Sequence, residues 1–536
     1  MPYCNKCGMA VKESDRFCYK CGAKLNTITS LTCNKCGTTL ITGARFCRNC
    51  GQSVIEADKP LQDTVDTSNP DSSLAITPKD NSTIGLCFYC YKRIPITDNV
   101  KEITCPNCGG TGDFNRFVRA YEKENVFAQM NLAELPYIKE GDDFFFGGLG
   151  RYRWNVLSIN NEYIYAILCN QDKLKYKKFY DRDSTSDRLV YNNTDSPVTW
   201  ETCTLRKWLN ESFIERFSDK ERELLAPTKL NNRNNPYYGT SGGNDTVDKV
   251  FCLSIDELKY YCKNEKMKKI LMGSLSDAYW LRTPGEHQNK ASVNIAPIDY
   301  RGEWYPNSTY EVDKSTRNDF HDDSIYVRPC ICINTKLLKK KERNNNIIPD
   351  LRSLDVGQVI DFGFNEITGS IKWRIIHKEN NQVLIITDDV IRRKAFGNKE
   401  KPYSSWETSD IRKWLNNEFL QQNFNDDERS HIIEHTITNN RTKFQQDFIG
   451  GIDTVDKVFL LSVDEANNYF ASDEDRKCSY TWWSRTSRAE NIDSTEDSFD
   501  ACDVIDVCDS GSISKYGTDV NYSMGVRPAM WIRIDE

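Results

Sequence analysis

Twelve cysteines in the first 110 residues fall into six Cys-x-x-Cys pairs, a spacing that turns two sulfurs toward one centre. Cys4, Cys7, Cys18 and Cys21 form one set, and Cys33, Cys36, Cys47 and Cys50 repeat it 29 residues later. Cys87, Cys90, Cys105 and Cys108 form a third set with a longer insert between the pairs. Two knuckles complete a tetrahedral shell of four thiolates, and glycine after a knuckle permits the backbone turn it needs. Four sulfur ligands leave no open position for water or substrate, so three structural zinc ions are expected. Redox dithiols or an iron–sulfur centre are the competing reading, which the threefold recurrence of paired knuckles disfavours. Segments this short bury too little apolar area to fold alone, and structural zinc supplies on the order of 10 to 16 kcal/mol.

Other residues suggest chemistry less strongly. His431, Glu434 and His435 have the H-x-x-E-H order in which two histidines one helical turn apart hold zinc beside a glutamate base. Nothing comparable stands at the equivalent place of the internal repeat described below, Leu224-Leu-Ala-Pro-Thr, so no metal or catalytic role is assigned to them. Gly242-Gly243 and Gly450-Gly451 precede strands rather than helix N-termini and read as turns, not phosphate cradles. Cys330 and Cys332 share one strand face, where Ala529 and Trp531 stand in the second copy, and they read as core. The paired arginines Arg282/Arg485 and Arg328/Arg527 are expected to be structural. No catalytic and no cofactor-binding residue is therefore named, and the chain is expected not to be an enzyme.

Charge bounds the partners. Residues 1–59 carry nine Lys or Arg against four Asp or Glu, and each zinc with four thiolates adds −2, so two occupied sites reduce +5 to +1. That is a weak footprint for phosphate binding, and the whole chain is acidic at −7. Protein contact is the better expectation for the ribbons, with nucleic acid the weaker one. Cys-x-x-Cys usage fits a reducing compartment, no apolar run reaches about 18 residues, and the N-terminal residues carry no secretory signal, so a cytoplasmic protein without a membrane span is expected. The remaining nine cysteines, from Cys169 to Cys508, read mostly as small buried hydrophobes.

The elements that must hold these residues come in repeats. The cysteine sets, each of the first two with Arg-Phe before its third cysteine (Arg16-Phe17, Arg45-Phe46), resemble bacterial zinc ribbons. They are placed at 1–25, 30–55 and 85–112, with a Ser-, Asp- and Pro-containing flexible tether over 56–84. Phe114, Phe117, Val118 and Tyr121 have helical spacing and predict a connecting helix over 113–135. The body, 136–335 and 350–536, is a duplication. Arg206-Lys-Trp208-Leu209-Asn210 returns as Arg412-Lys-Trp414-Leu415-Asn416, Thr246-Val-Asp248-Lys-Val-Phe251 as Thr454-Val-Asp456-Lys-Val-Phe459, Trp280-Leu-Arg282-Thr283 as Trp483-Ser-Arg485-Thr486, and Val327-Arg328-Pro329 as Val526-Arg527-Pro528. Copies of about 200 residues are domains rather than solenoid units.

Each copy predicts the same elements. Hairpins span 153–169 and 372–387 around Asn-Asn turns, and a helix carries Leu205, Trp208, Leu209 and Phe213, or Ile411, Trp414, Leu415 and Phe419, with the tryptophans in the core. Capping boxes open helices at Ser218/Glu221 and Asn425/Glu428, and again at Ser254/Glu257 and Ser462/Glu465, which makes those serines caps rather than nucleophiles. A strand follows each Val-Arg-Pro. The fold class is α+β: small zinc ribbons followed by two tandem, mainly antiparallel α+β domains.

The Trp-x-Arg-Thr, Asp-Lys-Val-Phe-x-Leu-Ser and Gly-Val-Arg-Pro-Ala motifs resemble the bacterial domain-of-unknown-function family 6273 over residues 137–334 and 354–535. The resemblance implies no established activity. The final Gly525-Val-Arg-Pro528 strand is also similar to the end of C-type-lectin-like and formylglycine-generating-enzyme-like folds, which would imply an enzyme as the alternative to a non-enzymatic binding or scaffold protein. The first copy departs there, with Tyr326 for Gly525 and Cys330 for Ala529. Between their last motifs the copies diverge: 284–326 is rich in aromatics, whereas 487–525 has nine Asp or Glu against two Lys or Arg. Ligand preference is expected in these two segments, read as loops, and Asp497, Asp500, Asp503, Asp506 and Asp509 as solvated carboxylates, with calcium the conceivable ligand.

Overall fold

The computed structural model describes residues 31–32, 39–40, 83–96, 100–174, 189–272, 278–294, 309–311, 316–318, 321–343, 351–397, 405–439, 452–487 and 503–534. The chain divides into two compact units, Met1–Thr77 and Pro78–Glu536. In the first, Leu31–Thr32 pairs antiparallel with Thr39–Leu40. Cys4 through Cys50, with their two expected zinc sites, lie outside the described residues.

The second unit begins with two small hairpins. Thr83–Leu86 pairs with Arg93–Ile96, and Ile103–Thr104 with Thr111–Gly112. Thr83 and Ile84, placed by sequence at the end of the tether, already pair with Ile96 and Pro95. The connecting helix runs Phe114–Glu134 and is 21 residues long, with Asp113 as N-cap accepting from the Arg116 amide.

Both copies are built from two five-stranded sheets. The first sheet of copy 1 runs, in spatial order, Asp143–Phe145, Arg153–Ile159, Tyr163–Leu168, Cys330–Asn334, Val250–Phe251. Copy 2 repeats it as Val359–Asn365, Gly369–Glu379, Gln382–Thr387, Ala529–Arg533 and Ile432–Ile433, with Phe459 bridging Ala529 where copy 1 has a strand. Asn380 turns the second hairpin at φ 47°, a left-handed conformation that Asn tolerates. The second sheets centre on Ala278–Pro284 and Trp482–Ser487, each with one parallel neighbour, His321–Tyr326 or Ser523–Val526, in an otherwise antiparallel arrangement.

The repeated motifs converge on one buried carboxylate per copy. Asp248 accepts from Trp200 Nε1 at 2.9 Å, Arg206 Nε at 2.7 Å and Thr246 Oγ1 at 2.9 Å. Asp456 accepts from Trp406, Arg412 and Thr454 at 3.0, 2.7 and 2.7 Å. Asn210 and Asn416 then clamp the next strand, each donating to a valine carbonyl at 2.8 Å. All four capping boxes form as the sequence predicts. The helix with the tryptophans widens to a π turn in both copies, at Leu209–Phe213 and Leu415–Phe419. Trp414 is buried there, but Trp208 is only half-buried, a departure from its core expectation.

Each copy has its own hydrophobic core, around Trp154, Trp200 and Trp280 in one and Trp373, Trp406 and Trp483 in the other. The long helix joins them. Its Asn131 donates to Glu221 of copy 1 at 2.9 Å, while Phe127 and Met130 pack with Val390, Trp482 and Val507 of copy 2.

Candidate metal centre

The third cysteine set is assembled by the two hairpins. Cys87 and Cys105 follow the first strand of each, and Cys90 and Cys108 sit in the turns. In each knuckle the first cysteine's carbonyl accepts an amide four residues on, Tyr91 to Cys87 at 2.7 Å and Gly109 to Cys105 at 2.9 Å. Those closing residues take positive φ, 61° at Tyr91 and 72° at Gly109. Glycine is the residue expected there. Tyr91 adopts the conformation without being one, with the Arg216 guanidinium 5.4 Å from its ring centroid.

The four sulfurs lie within 4.8 Å of one another, with Cys87 to Cys108 and Cys90 to Cys105 each at 3.6 Å. Zinc–sulfur bonds of about 2.3 Å in a tetrahedron put sulfurs about 3.8 Å apart, so the donor set fits zinc. The thiols share protons: the hydrogen bond with Cys90 lowers Cys87 to about 5, and the same bond with burial raises Cys90. A zinc ion held here would replace those protons and tie the two hairpins together. Its shell would be full of sulfur, so its contribution is structural.

The ribbon is seated on the body through polar groups. Arg93, beside the first knuckle, donates to Glu124 Oε1 of the long helix at 2.6 Å and to the Phe217 carbonyl of copy 1 at 3.0 Å. Burial pushes the Glu124 carboxyl up to about 7 in spite of Arg93. Phe117 fills the ribbon core, packed so closely on Gly85 and Gly112 that an added Cβ would stand 3.0 and 2.9 Å from it.

The remaining candidates hold the framework. The helix carrying His431 ends at that residue, and His435 lies in the strand His435–Ile437, so the two histidines do not share a helical face. His431 Nδ1 stands 2.9 Å from the Asp427 carbonyl oxygen, and the His435 ring packs against Trp531. Ser254 and Ser462 accept from Glu257 and Glu465 amides as helix caps. Gly243, at φ 80°, turns before Thr246–Asp248, while 450–451 lie outside the described residues. Cys330 and Cys332 are buried in their strand, and burial raises both thiols. Arg282 and Arg485 fork onto Glu257 and Glu465, while Arg328 and Arg527 donate to backbone carbonyls. Of the other cysteines, Cys169, Cys203 and Cys252 are buried, Cys262, Cys478 and Cys508 partly so, and Cys502 lies outside the described residues.

The divergent segments are not simply loops. Lys290–Asn294, Asp503–Val507 and Ser523–Val526 are strands of the second sheets. Asp506 is buried and accepts from Thr518 at 2.9 Å, and Asp509 pairs with Lys123 at 3.0 Å. Asp506 is therefore committed to the fold, contrary to the solvated reading, whereas the Asp509 side chain stays half-exposed in a surface ion pair, and Asp497 and Asp500 lie outside the described residues. Val504, Ile505 and Val507, all fully buried, were the overlooked strand signal.

A four-sulfur ribbon fixed to a duplicated α+β body defines a multidomain zinc-ribbon protein. A family model described as a double zinc ribbon matches residues 4–51, and one described as a domain of unknown function, DUF6273, matches twice, at 166–335 and 380–534. The two DUF6273 matches together cover more than half of the chain, and the protein belongs to that family. No curated protein and no solved structure matches it.

Proposed function

We propose that the protein is a non-enzymatic binding or scaffold protein of the cytoplasm, in which three zinc-held ribbons make protein contacts and the duplicated domains recognise a ligand. The observation that carries this reading is the closed tetrad Cys87, Cys90, Cys105 and Cys108, which spends every metal position on sulfur and is seated on the body by Arg93. The engagement of His431, Ser254, Ser462, Cys330 and the paired arginines in caps, core and backbone hydrogen bonds supports it. Among the described residues no helix is long and apolar enough to cross a membrane.

The test is capture of partners from cell lysate by the full chain and by a variant with Cys4, Cys7, Cys33 and Cys36 changed to Ser. Specific proteins held by the first and lost by the second are the expected result. Capture that vanishes on nuclease treatment would replace this reading with the nucleic-acid one.

A further inference from the structure

The duplication leaves a cleft of about 930 Å³ where the two copies face each other, within the range typical of small-molecule sites. Copy 1 lines it with the end of its first hairpin, including Arg153 and Asn170, and Lys269 adds the helix Glu265–Met272. Copy 2 contributes the edge strand Arg392–Ala395 through Arg393 and Lys394.

The charges of this cleft are unbalanced. Its acids already have partners: Glu134 is paired with Arg392, Asp143 lies 3.6 Å from Arg153 within the cleft, and Asp410 is 3.1 Å from Lys413. Among the described residues no carboxylate stands within ion-pair distance of Lys269, Arg393 or Lys394. Arg393 is nonetheless buried. It donates to the Gly150 carbonyl and to Asn131 Oδ1, and its guanidinium lies 3.6 Å from the centroid of the Phe145 ring. The Lys394 ammonium is 5.5 Å from the Trp414 ring centroid. Burial lowers Arg393 to about 10 and, together with Arg392, holds Lys394 below the usual lysine range. Carboxylates such as Glu134 act on Arg393 and Lys394 only from a distance. Desolvated cations with no carboxylate in contact are costly, and an incoming anion recovers that cost through charge-assisted hydrogen bonds. In a chain of net charge −7, a cleft with unpaired cations also selects for anions by local field.

We propose that the inter-repeat cleft binds a small oxyanion, a phosphate- or carboxylate-bearing molecule, with Lys269, Arg393 and Lys394 supplying the counter-charge. The proposal rests on the reading of the duplicated domains as ligand-recognition modules and names their site and ligand class. Both copies are needed, because neither alone carries Lys269 and Lys394.

The experiment is calorimetric titration of the zinc-loaded full chain at low salt with pyrophosphate and, separately, with citrate, which distinguishes the phosphate source from the carboxylate one. One site per chain is expected for at least one probe, weakened at least tenfold by Lys394→Gln and by Lys269→Gln, and unchanged by Lys336→Gln, whose exposed ammonium pairs with Glu162 instead. Lys269 is exposed, so its variant reports on the cleft even if Lys394→Gln disturbs packing. Absence of binding by both probes, or equal affinity in wild type and Lys269→Gln, would overturn the proposal. Partner capture persisting in that case would leave the scaffold reading standing, whereas anion binding without partner capture would remove the protein-contact reading alone.

Discussion

Arg93 Nη2 lies 2.6 Å from Glu124 Oε1, with both side chains largely out of solvent, and this pair joins the ribbon to the long helix. The same guanidinium reaches the Phe217 carbonyl of copy 1. The pair therefore links three elements that are distant in sequence, and it makes the third ribbon part of the body's fold. The helix extends the link to copy 2, since Glu134 in its last turn is paired with Arg392.

Arg93→Ala is expected to leave Glu124 buried without a counter-charge and, at pH 8, to destabilise the body by about 3 to 5 kcal/mol. Arg93→Lys should recover only part of this, because one ammonium cannot reproduce the planar fork toward a carboxylate and a carbonyl. Chemical denaturation of the three proteins measures the difference. Equal stability of wild type and Arg93→Ala would show that the seat carries no load.

Glu124 gives the fold a pH dependence of defined sign. Its carboxyl is raised from 4.5 to about 7 in the folded chain, so the folded state holds that proton more tightly than the unfolded one. The stability this group contributes is full below about 4.5 and is lost as pH rises through about 7, by up to about 3 kcal/mol in all. Glu124→Gln should therefore flatten the decline of stability between about pH 4.5 and pH 7.5, measured with zinc kept saturating. A slope identical in wild type and variant would contradict the assignment.

The carboxylate hubs are predicted to be equivalent in the two copies. Asp248→Ala strands Trp200 Nε1, Arg206 and Thr246, and Asp456→Ala strands Trp406, Arg412 and Thr454. Each should cost about 3 to 5 kcal/mol, read as a lowered denaturation midpoint with loss of near-ultraviolet tryptophan signal. Indifference of one copy would mean that its motif is retained for something other than the fold.

Much of this architecture was legible because it is local. The four capping boxes, the Asn-Asn hairpin turn at Asn380 and the Cys-x-x-Cys knuckles are each written within a few residues, and repetition allowed one copy to check the other. What the motifs do together was not legible. Nothing within Trp406-Glu-Thr or Thr454-Val-Asp456 says that the tryptophan donates to the aspartate 50 residues on. Tyr91 was equally hidden, since its left-handed backbone at φ 61° is imposed by the knuckle against the preference of its side chain. Asp506 was misjudged for a related reason: counting charges across 487–525 obscured the apolar Val504, Ile505 and Val507 that place it in a strand. The run Arg392-Arg393-Lys394 carries no motif, and only packing against the long helix and copy 1 brings two of its cations to a cleft with no carboxylate in contact with them.

The zinc content separates the sulfur sites from the histidine motif. Twelve cysteines in three matched sets predict three zinc ions per chain, measured by elemental analysis of protein purified without chelator. Changing Cys87 and Cys105 to Ser should remove one equivalent. The loss should also loosen the ribbon, because each of these cysteines follows a strand of one hairpin and a metal held by all four sulfurs would cross-link the two knuckles. Changing His431 and His435 to Ala should leave all three equivalents in place. His431 ends its helix and lies against the Asp427 carbonyl, while the His435 ring packs at a tilt against Trp531, so the two rings are held by different elements and do not converge as one-turn neighbours would. Loss of one zinc from the histidine variant would return the metalloprotease reading to consideration. Fewer than two zinc ions in the wild-type chain, or iron in their place, would overturn the assignment of the cysteine sets as structural zinc ribbons.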